Sequence, residues 1–195
     1  MKLALFDFDG TISREETTED FIYFAVGKIK GELGRLFMAP LYFLYILKII
    51  SHHQAKELYL KFYFKGWDRE HFVALSREYA ATKVARLVKD SALERIRWHQ
   101  AQEHHVVVVS GSLDIWIKPW CEEKGLDLIS TKIDLSEEKI TGRLATRNCY
   151  REEKVNRINR EIDLSQYSHI YAYGDSTGDR AMMALADESY YRYFD

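Results

Sequence analysis

The chain has 195 residues, of which 47% are hydrophobic, which favours one large domain, or a domain with an insertion, around a sizeable core. With 28 Lys and Arg residues against 30 Asp and Glu residues, the net charge of −2 excludes a globally basic nucleic-acid-binding protein. Cys121 and Cys149 show neither metal-type spacing nor a disulfide framework, and the seven histidines form no zinc motif. These features predict a cytoplasmic protein with reduced thiols.

The first predicted element is a short buried strand over residues 3–6, where the chain is apolar. The strand ends in two carboxylates, Asp7 and Asp9, which are followed at once by Gly10 and Thr11. Two acids at the end of a buried strand are energetically unfavourable, so they predict a metal ion or a reaction at this point. The apolar run is too short for a signal peptide, because Asp7 interrupts it.

Residues 15–87 are predicted to form a helical insertion, because apolar and aromatic side chains recur there at helical spacing. The predicted helices cover residues 18–30, 54–65 and 68–84. Four boundaries are expected from residue type: Thr17 and Asp68 as N-caps, and Gly31 and Gly34 as interruptions.

The insertion contains an uncharged apolar run over residues 36–47, which Pro40 divides and which basic residues flank. Such a run is too short to span a membrane. Three interpretations are open: a buried helix, an interfacial segment over residues 33–50 that contacts a membrane peripherally, or an oligomer contact. Tyr42 and Tyr45 suit the second interpretation, because aromatic side chains favour the membrane–water boundary.

The remainder of the chain alternates between strand and helix patterns, as in a parallel sheet with crossover helices. Residues 91–94 match a capping box that opens a helix, and residues 140–144 match the returning arm of a hairpin. The predicted strands cover residues 105–109, 128–134, 169–173 and 190–193, and the predicted helices cover residues 91–103, 113–124, 151–161 and 179–186.

Three of the predicted strands end in polar segments, at residues 7–11, 110–112 and 174–179. In a doubly wound parallel sheet the carboxyl ends of the strands meet along one crevice, where ligands bind. Clustered carboxylates without matching histidines or cysteines predict oxygen ligation, which suits Mg²⁺. The crevice is expected to hold the acids Asp7, Asp9, Asp175 and Asp179, with Thr11 and Ser110 as hydroxyl donors.

A magnesium ion beside a phosphate-ready pocket predicts phosphoryl chemistry. One carboxylate of the first pair is a candidate nucleophile that forms an aspartyl-phosphate, and the other is placed to protonate the leaving alcohol and activate water. Ser110 and the backbone N–H groups of Gly111 and Ser112 are expected to hold the phosphate. Lys154 is the candidate lysine that neutralises its oxygens.

Taken in order, these motifs are similar to those of the haloacid dehalogenase (HAD) superfamily: an Asp-x-Asp-x-Thr segment, a strand-end serine, a lysine and an acidic loop. The matching residues are Asp7, Asp9, Thr11, Ser110, Lys154, Asp175 and Asp179. The resemblance implies an α/β fold, a Rossmann-like parallel sheet flanked by helices with an inserted α-helical C1 cap. It implies a core over residues 1–14 and 88–195 and a cap over residues 15–87, as in the phosphoserine-phosphatase-like subfamily IB.

The resemblance also implies a role for each site residue. Asp7 is expected to be the nucleophile and a metal ligand, and Asp9 the general acid and base, with its backbone carbonyl on Mg²⁺. Asp175 is expected to be a further metal ligand and Asp179 a supporting acid beside the metal. Because Asp9 is retained, the first motif favours a phosphatase over a dehalogenase. The expected phosphate binders are Ser110 and Lys154.

The substrate is open between a small phosphomonoester and a lipid phosphate. Glu16 stands where phosphoserine phosphatases carry a cap glutamate, but residues 36–68 contain no arginine to match their carboxylate-binding cap arginine. The apolar run with its flanking cations resembles the bacterial phosphatidylglycerophosphatase C type, which implies peripheral contact at the inner face of the membrane. A phosphotransferase and a non-catalytic phosphate- or partner-binding module are further alternatives.

Overall fold

The fold is built on a five-stranded parallel sheet in the computed structural model, which describes residues 1–194. Its strands are β1 (Lys2–Phe6), β2 (His105–Leu113), β3 (Asp127–Thr131), β4 (His169–Gly174) and β5 (Glu188–Tyr191). The order β3-β2-β1-β4-β5 places β1 between β2 and β4, so the carboxyl ends of these three strands are neighbours. Every pairing is parallel, which confirms the predicted α/β sheet.

Helices fill the connections between the strands. They are α1 (Thr17–Val26), α2 (Lys28–Phe37), α3 (Ala39–Ile46), α4 (His52–Phe64), α5 (Arg69–Tyr79), α6 (Ala85–Leu87), α7 (Asp90–Ala101), α8 (Asp114–Glu123), α9 (Glu152–Glu161) and α10 (Arg180–Met183). We call α1 to α6, which lie between β1 and β2 in the chain and precede α7, the cap helices.

Side chains of β1 alternate between two hydrophobic layers, one on each face of the sheet. Phe6 belongs to the layer that contains Trp116 of α8 and continues into the cap helices. Leu5 belongs to the opposite layer, with Ile158 of α9 and Met182 of α10. Because both faces are covered, the central strands have continuous apolar sequences rather than an alternation of apolar and polar residues.

The cap helices pack against the core through aromatic side chains. Phe21 of α1 is fully buried, and its ring stacks on Trp116 of α8 with ring centroids 4.5 Å apart. Phe64, Phe72 and Tyr79 surround the Phe21 ring at centroid distances of 5.5, 5.6 and 5.3 Å. Stacked and edge-on pairs of this kind add to the stability gained from burial alone.

The boundaries of the first two helices differ from the prediction. The single predicted helix is divided at Gly27, whose φ of +83° is a conformation that glycine adopts without strain. Gly31 and Gly34 are predicted as interruptions, but both lie inside α2. The rings of Tyr23 and Tyr63 occupy the space that side chains at these two positions would need, so the glycines serve close packing.

One of the two predicted N-caps in the cap helices is confirmed. Asp68 accepts a hydrogen bond from the backbone N–H of His71, at 3.1 Å. The prediction for Thr17 is wrong, because it is the first residue of α1 and Glu16 occupies the N-cap position. The Thr17 hydroxyl instead pairs with the hydroxyl of Ser112, 2.6 Å away.

Of two further predictions in the core, one is wrong and the other is confirmed only in part. The capping box over residues 91–94 does not form, because α7 begins earlier and has no side-chain cap. Its N-cap residue, Lys89, is held by a backbone hydrogen bond of 2.8 Å to the turn after β1. The hairpin arm over residues 140–144 is reduced to an isolated antiparallel bridge between Ile133 and Leu144.

The apolar run over residues 36–47 is not buried. No residue of α3 is buried, and Leu36 and Phe43 are 73% and 59% exposed. The interpretation as a buried helix is therefore wrong, because the run divides at Met38 and neither half is covered by another layer of residues 1–194. Within that part of the chain, the helices are all too short or too polar to cross a bilayer.

Replacing Phe21 with alanine tests whether the cap helices and core share one layer. We expect Phe21→Ala to lower the free energy of unfolding by about 3–5 kcal/mol, because it leaves a cavity between α1 and α8. Urea denaturation measures the change. The matched control, Phe43→Ala, removes an exposed ring and should change the free energy by less than about 0.5 kcal/mol. Equal changes in the two variants would contradict the shared layer.

Candidate active site

The first predicted motif lies in a tight turn directly after β1. Asp7 is 6% exposed, and its backbone N–H donates a 3.0 Å hydrogen bond to the carbonyl of Tyr173 at the end of β4. Gly10 has a φ of +79°, and a Cβ there would lie 2.5 Å from Oδ2 of Asp175. Only glycine permits this turn and the close approach of Asp175 together. The turn therefore brings the ends of β1 and β4 into contact.

Three of the four predicted acids form one cluster. Carboxylate oxygens of Asp7, Asp175 and Asp179 all lie within 4.8 Å of one another. Thr11 donates a hydrogen bond of 3.1 Å from its hydroxyl to Oδ1 of Asp175. An all-oxygen, carboxylate-rich donor set suits a hard divalent cation such as Mg²⁺. The residues present therefore fit the predicted metal.

Lys154 lies between two of these acids. Its side chain is 2% exposed, and its Nζ donates to Oδ1 of Asp7 and to Oδ1 of Asp179, each at 2.6 Å. Burial raises the pKa of Asp7 well above its usual range, although the ammonium opposes this shift. Burial acts the same way on Asp179, but its bonds to Lys154 and Ser176 hold its pKa below the usual value. The two carboxylates raise the pKa of Lys154, which therefore stays charged despite its burial.

Asp9 is not one of the three clustered acids, and its carboxylate bonds other partners. Its carboxylate accepts a 2.9 Å hydrogen bond from the backbone N–H of Thr17, at the start of α1. It also accepts a short hydrogen bond from the hydroxyl of Ser112 in β2. The Asp9 side chain is thus held between the cap helices and the core, whereas the predicted metal contact concerns its backbone carbonyl.

The predicted phosphate loop, Ser110, Gly111 and Ser112, lies at the end of β2, where the register with β3 shifts. Ser110 is fully buried, and its hydroxyl accepts a hydrogen bond of 3.0 Å from the backbone N–H of Ser112. That N–H, predicted to contact phosphate, is therefore bonded within the loop. The Gly111 carbonyl accepts a hydrogen bond from Nζ of Lys56 on α4.

Lys56 is a site residue that sequence reasoning did not single out. It is one of four lysines between residues 36 and 68, and only the fold shows which of them reaches the core. Burial lowers its pKa, while the carboxylates of Asp9 and Glu16 act in the opposite direction. Glu16 is exposed as a residue, but desolvation of its carboxyl and the negative charge of Asp9 raise its pKa to about 7. The cap therefore places an acid and a cation beside the phosphate loop.

A second contact joins α4 to the core through His52. The His52 ring stacks on Tyr150 with ring centroids 3.9 Å apart, and its Nδ1 bonds the side-chain amide of Asn148. Burial lowers the pKa of His52 to about 4, so the ring is neutral at pH 7. Tyr150 in turn occupies the space beside Gly178 in the acidic loop. The histidines are predicted as surface or structural residues, and His52 has a structural contact at the edge of the site.

An open cavity of about 1020 Å³ lies between α1, α2, α3 and α4. Its inner end includes Glu16, His52 and Lys56, which also face the core, and its outer wall is largely apolar. The cavity therefore opens on the surface of the cap helices and reaches Lys56, which bonds the predicted phosphate loop.

Comparison with known proteins agrees with this arrangement. The model of the haloacid dehalogenase-like hydrolase family matches residues 4–184. Protein CicA from Caulobacter vibrioides is 30% identical over 194 residues, which cover 98% of this chain and 86% of the relative.

Similar folds occur among solved structures. A protein of unknown function from Bordetella pertussis Tohama I superimposes with a TM-score of 0.79 at 21% identity, over 96% of this chain and 88% of that one. A substrate-bound phosphoserine phosphatase gives a TM-score of 0.71 at 20% identity, over 97% and 85% of the two chains. At these identities the likeness concerns the fold.

Removing the ammonium between the buried acids should destabilise the fold. We expect Lys154→Met to lower the free energy of unfolding by about 3–5 kcal/mol at pH 7 without added metal, because two buried carboxylates lose their counter-charge. The deficit should shrink as the pH falls, since protonation neutralises both acids. Lys118→Met, which removes an exposed lysine of α8 paired with Glu122, is the control in urea denaturation. Equal stability of the two variants would refute this account.

Proposed function

We propose that this chain, which belongs to the haloacid dehalogenase-like hydrolase family, hydrolyses a phosphomonoester through an aspartyl-phosphate on Asp7. One observation carries the proposal: Asp7, Asp175 and Asp179 converge at the ends of β1 and β4, with Lys154 between two of them. A carboxylate beside a lysine and further acids suits covalent phosphoryl transfer. We also propose a core of residues 1–14 and 88–195 and a cap of residues 15–87.

The proposed reaction has two half-reactions. In the first, a carboxylate oxygen of Asp7 attacks phosphorus, the bond to the leaving oxygen breaks, and Asp9 donates a proton to give a neutral alcohol. In the second, Asp9 takes a proton from water, whose oxygen attacks phosphorus, releases inorganic phosphate and restores the Asp7 carboxylate. The Thr17 N–H and the Ser112 hydroxyl hold Asp9 in place for both proton transfers.

Positive charge supports the attack. Burial raises the pKa of Asp7 and so disfavours its nucleophilic form, which the ammonium of Lys154 stabilises from 2.6 Å away. Mg²⁺, when bound, supplies further charge to stabilise the phosphate oxygens. We propose Asp7 and Asp175 as its side-chain ligands, the backbone carbonyl of Asp9 as another ligand, and Asp179 as a supporting acid.

The proposed phosphate contacts come from the loops after β1 and β2 and from α9. Glu16 is the proposed contact to the leaving group, since it borders both the cavity and Asp9. The residues proposed to contact phosphate are Thr11, Ser110, Gly111, Ser112 and Lys154. A non-catalytic binding module is disfavoured, because such a role does not require the retained acids. A phosphotransferase would use the same residues with another alcohol in place of water.

The substrate is proposed to be a small phosphomonoester, such as phosphoserine, or a lipid phosphate, such as phosphatidylglycerophosphate. The exposed apolar side chains of α2 and α3 favour the lipid, because uncovered apolar surface marks contact sites. Lys28 and Lys30 lie in the first turn of α2, and Lys48 follows α3, as in segments that lie on anionic membranes. We therefore propose peripheral contact at the inner face of the membrane through residues 33–50.

Substitution of the nucleophile tests the reaction. Asp7→Asn should abolish the release of inorganic phosphate from para-nitrophenyl phosphate with Mg²⁺, because an amide cannot form the covalent intermediate. Asp9→Asn should slow both half-reactions and let a phosphoenzyme accumulate. Acid quenching after reaction with an ester labelled in its phosphoryl group detects this intermediate. Thermal unfolding checks that both variants are folded. Substantial turnover by folded Asp7→Asn would eliminate Asp7 as the nucleophile.

Membrane contact is tested separately by co-sedimentation with vesicles. We expect binding to phosphatidylglycerol-containing vesicles at low salt, weaker binding to phosphatidylcholine alone, and loss of binding in Phe43→Glu. Tyr191→Glu places the same charge at a 48% exposed aromatic residue of β5 and should bind like the unmodified chain. Absence of binding to anionic vesicles at low salt would refute the membrane proposal and leave the phosphatase proposal intact.

A further inference from the structure

We propose that Lys89 and Arg192, which lie outside the sequence motifs of the site, are positioning residues that hold the candidate metal ligand Asp175 against the turn after β1. The inference rests on the proposed function, since Asp175 is a ligand only if the site uses a metal. Both residues act through backbone carbonyls of the site, so neither is offered as a catalytic residue.

Asp175 lies between two backbone segments that lack regular secondary structure. Its own segment begins where β4 ends, at Gly174, and the facing segment is the turn after β1, in which Asp9 and Gly10 have non-helical backbone angles. Oδ2 of Asp175 lies 2.5 Å from the position that a Cβ of Gly10 would take, and Oδ1 accepts a hydrogen bond of 3.1 Å from the Thr11 hydroxyl. The position of this carboxylate therefore depends on contacts that fix both segments.

Arg192 fixes the segment that carries Asp175. Its backbone N–H donates a 2.9 Å hydrogen bond to the carbonyl of Gly174, and its Nε donates a 3.2 Å hydrogen bond to the carbonyl of Asp175. The chain on either side of Arg192 is itself held, because Tyr191 pairs with Gly174 in the sheet and Phe194 is buried in the core. The sheet and the core therefore fix the position of Arg192.

The backbone of Arg192 is strained. Its φ of +52° lies in the left-handed region, which is unfavourable for a residue with a Cβ but not for glycine. Strain of this kind is concentrated at functional sites, where the surrounding structure maintains it. Glycine at this position would relieve the strain and lose the bond to the Asp175 carbonyl, so substitution can separate the two effects.

Lys89 fixes the facing turn. Its Nζ donates a 2.7 Å hydrogen bond to the carbonyl of Gly10, and its backbone N–H donates one of 2.8 Å to the carbonyl of Ile12. Arg14 extends the same pairing, because its N–H donates to the carbonyl of Leu87 at 2.8 Å. Lys89 is half-buried, and a bond from a charged donor that is partly shielded from water is stronger than a bond between neutral groups. Side chain and backbone of Lys89 therefore both hold the turn.

The two cations have opposing effects on metal binding. Their positive charge repels a divalent cation, so loss of the charge alone should strengthen Mg²⁺ binding. Their hydrogen bonds keep the Asp175 carboxylate beside Asp7 and Asp179, so loss of these bonds should weaken Mg²⁺ binding. We expect positioning to exceed repulsion, because solvent screens charges near the surface, whereas residues that orient a ligand change metal affinity by roughly ten- to a hundredfold. The sign of the change in affinity therefore identifies the role.

Isothermal titration calorimetry with Mg²⁺ measures this change. We expect Lys89→Met and Arg192→Met each to raise the Kd for Mg²⁺ by roughly tenfold. Lys89→Arg keeps a cationic donor and should restore much of the affinity. The controls, Lys118→Met and Arg160→Met, remove exposed cations of α8 and α9, match the change in net charge and should leave the Kd close to that of the unmodified chain.

Arg192→Gly separates positioning from stability. It removes the bond to the Asp175 carbonyl and also relieves the backbone strain, so thermal unfolding should occur at the same temperature as in the unmodified chain, or higher. The Kd for Mg²⁺ should nevertheless rise as in Arg192→Met. A merely structural role predicts the reverse, a lower unfolding temperature in the methionine variants with an unchanged Kd for Mg²⁺.

Phosphate release from para-nitrophenyl phosphate gives an independent readout. The Mg²⁺ concentration at half-maximal activity should rise in Lys89→Met and Arg192→Met. At saturating Mg²⁺ kcat should recover, because the groups proposed to react with the substrate are unchanged. A kcat that stays low at saturating Mg²⁺, with an unchanged Kd, would contradict an effect through the metal ligand.

Each outcome has a defined meaning. Weaker Mg²⁺ binding in Lys89→Met and Arg192→Met, but not in the controls, supports the inference. An unchanged or lower Kd in these folded variants overturns it and leaves the proposed phosphatase standing. Absence of Mg²⁺ binding by the unmodified chain overturns the inference together with the proposed cofactor. Mg²⁺ binding without phosphate release overturns the proposed function, and calorimetry still decides whether Lys89 and Arg192 position Asp175.

Discussion

The site depends on one buried charge arrangement, the ammonium of Lys154 between Asp7 and Asp179. Carboxylates that are this close and this buried repel each other strongly unless a cation lies between them. The arrangement joins β1, α9 and the acidic loop after β4. The start of α9 is itself tied to that loop, because the backbone N–H of Arg151 donates to the carbonyl of Gly178 at 3.1 Å. The ammonium and Asp179, one of the buried acids that it neutralises, therefore lie on the same segments, α9 and the loop after β4, that the backbone hydrogen bond holds together.

The cap helices are organised by a different principle. Their inner side is an aromatic layer around Phe21 that is continuous with the core, whereas α2 and α3 leave their apolar side chains uncovered. Burial of those side chains thus contributes little to folding, and uncovered apolar side chains of this kind mark contact sites. The fold separates a stabilising half of the cap from a half that is available for recognition.

The parallel sheet and the acid cluster could be predicted from the sequence, because few other structures satisfy the same residue patterns. A run such as residues 106–109 has to be buried on both faces, and parallel strands bring their carboxyl ends together. That reasoning correctly places Asp7, Asp175 and Asp179 side by side. Lys154 also lies at this site, as predicted, and there it bonds two acids.

Other features were not predictable, because they depend on packing between distant segments. Gly31 and Gly34 look like helix breakers until the rings of Tyr23 and Tyr63 explain them. Lys56 is indistinguishable in sequence from its neighbouring lysines, since its role comes from the orientation of α4. The hydrophobicity of residues 36–47 indicates a preference for apolar surroundings, but it does not say whether protein, ligand or lipid provides them.

The position of Asp9 has a consequence for how caps are exchanged during evolution. Its carboxylate accepts hydrogen bonds from Thr17, in the cap helices, and from Ser112, in the core, so the orientation of this proposed proton donor depends on the first turn of α1. The bond from Thr17 comes from its backbone N–H, so a new cap joined near residue 15 keeps this bond only if its first helix begins at the same place. A crossover after the first turn of α1 would keep this helix start, so that turn, although it lies in the cap helices, belongs with the proposed site.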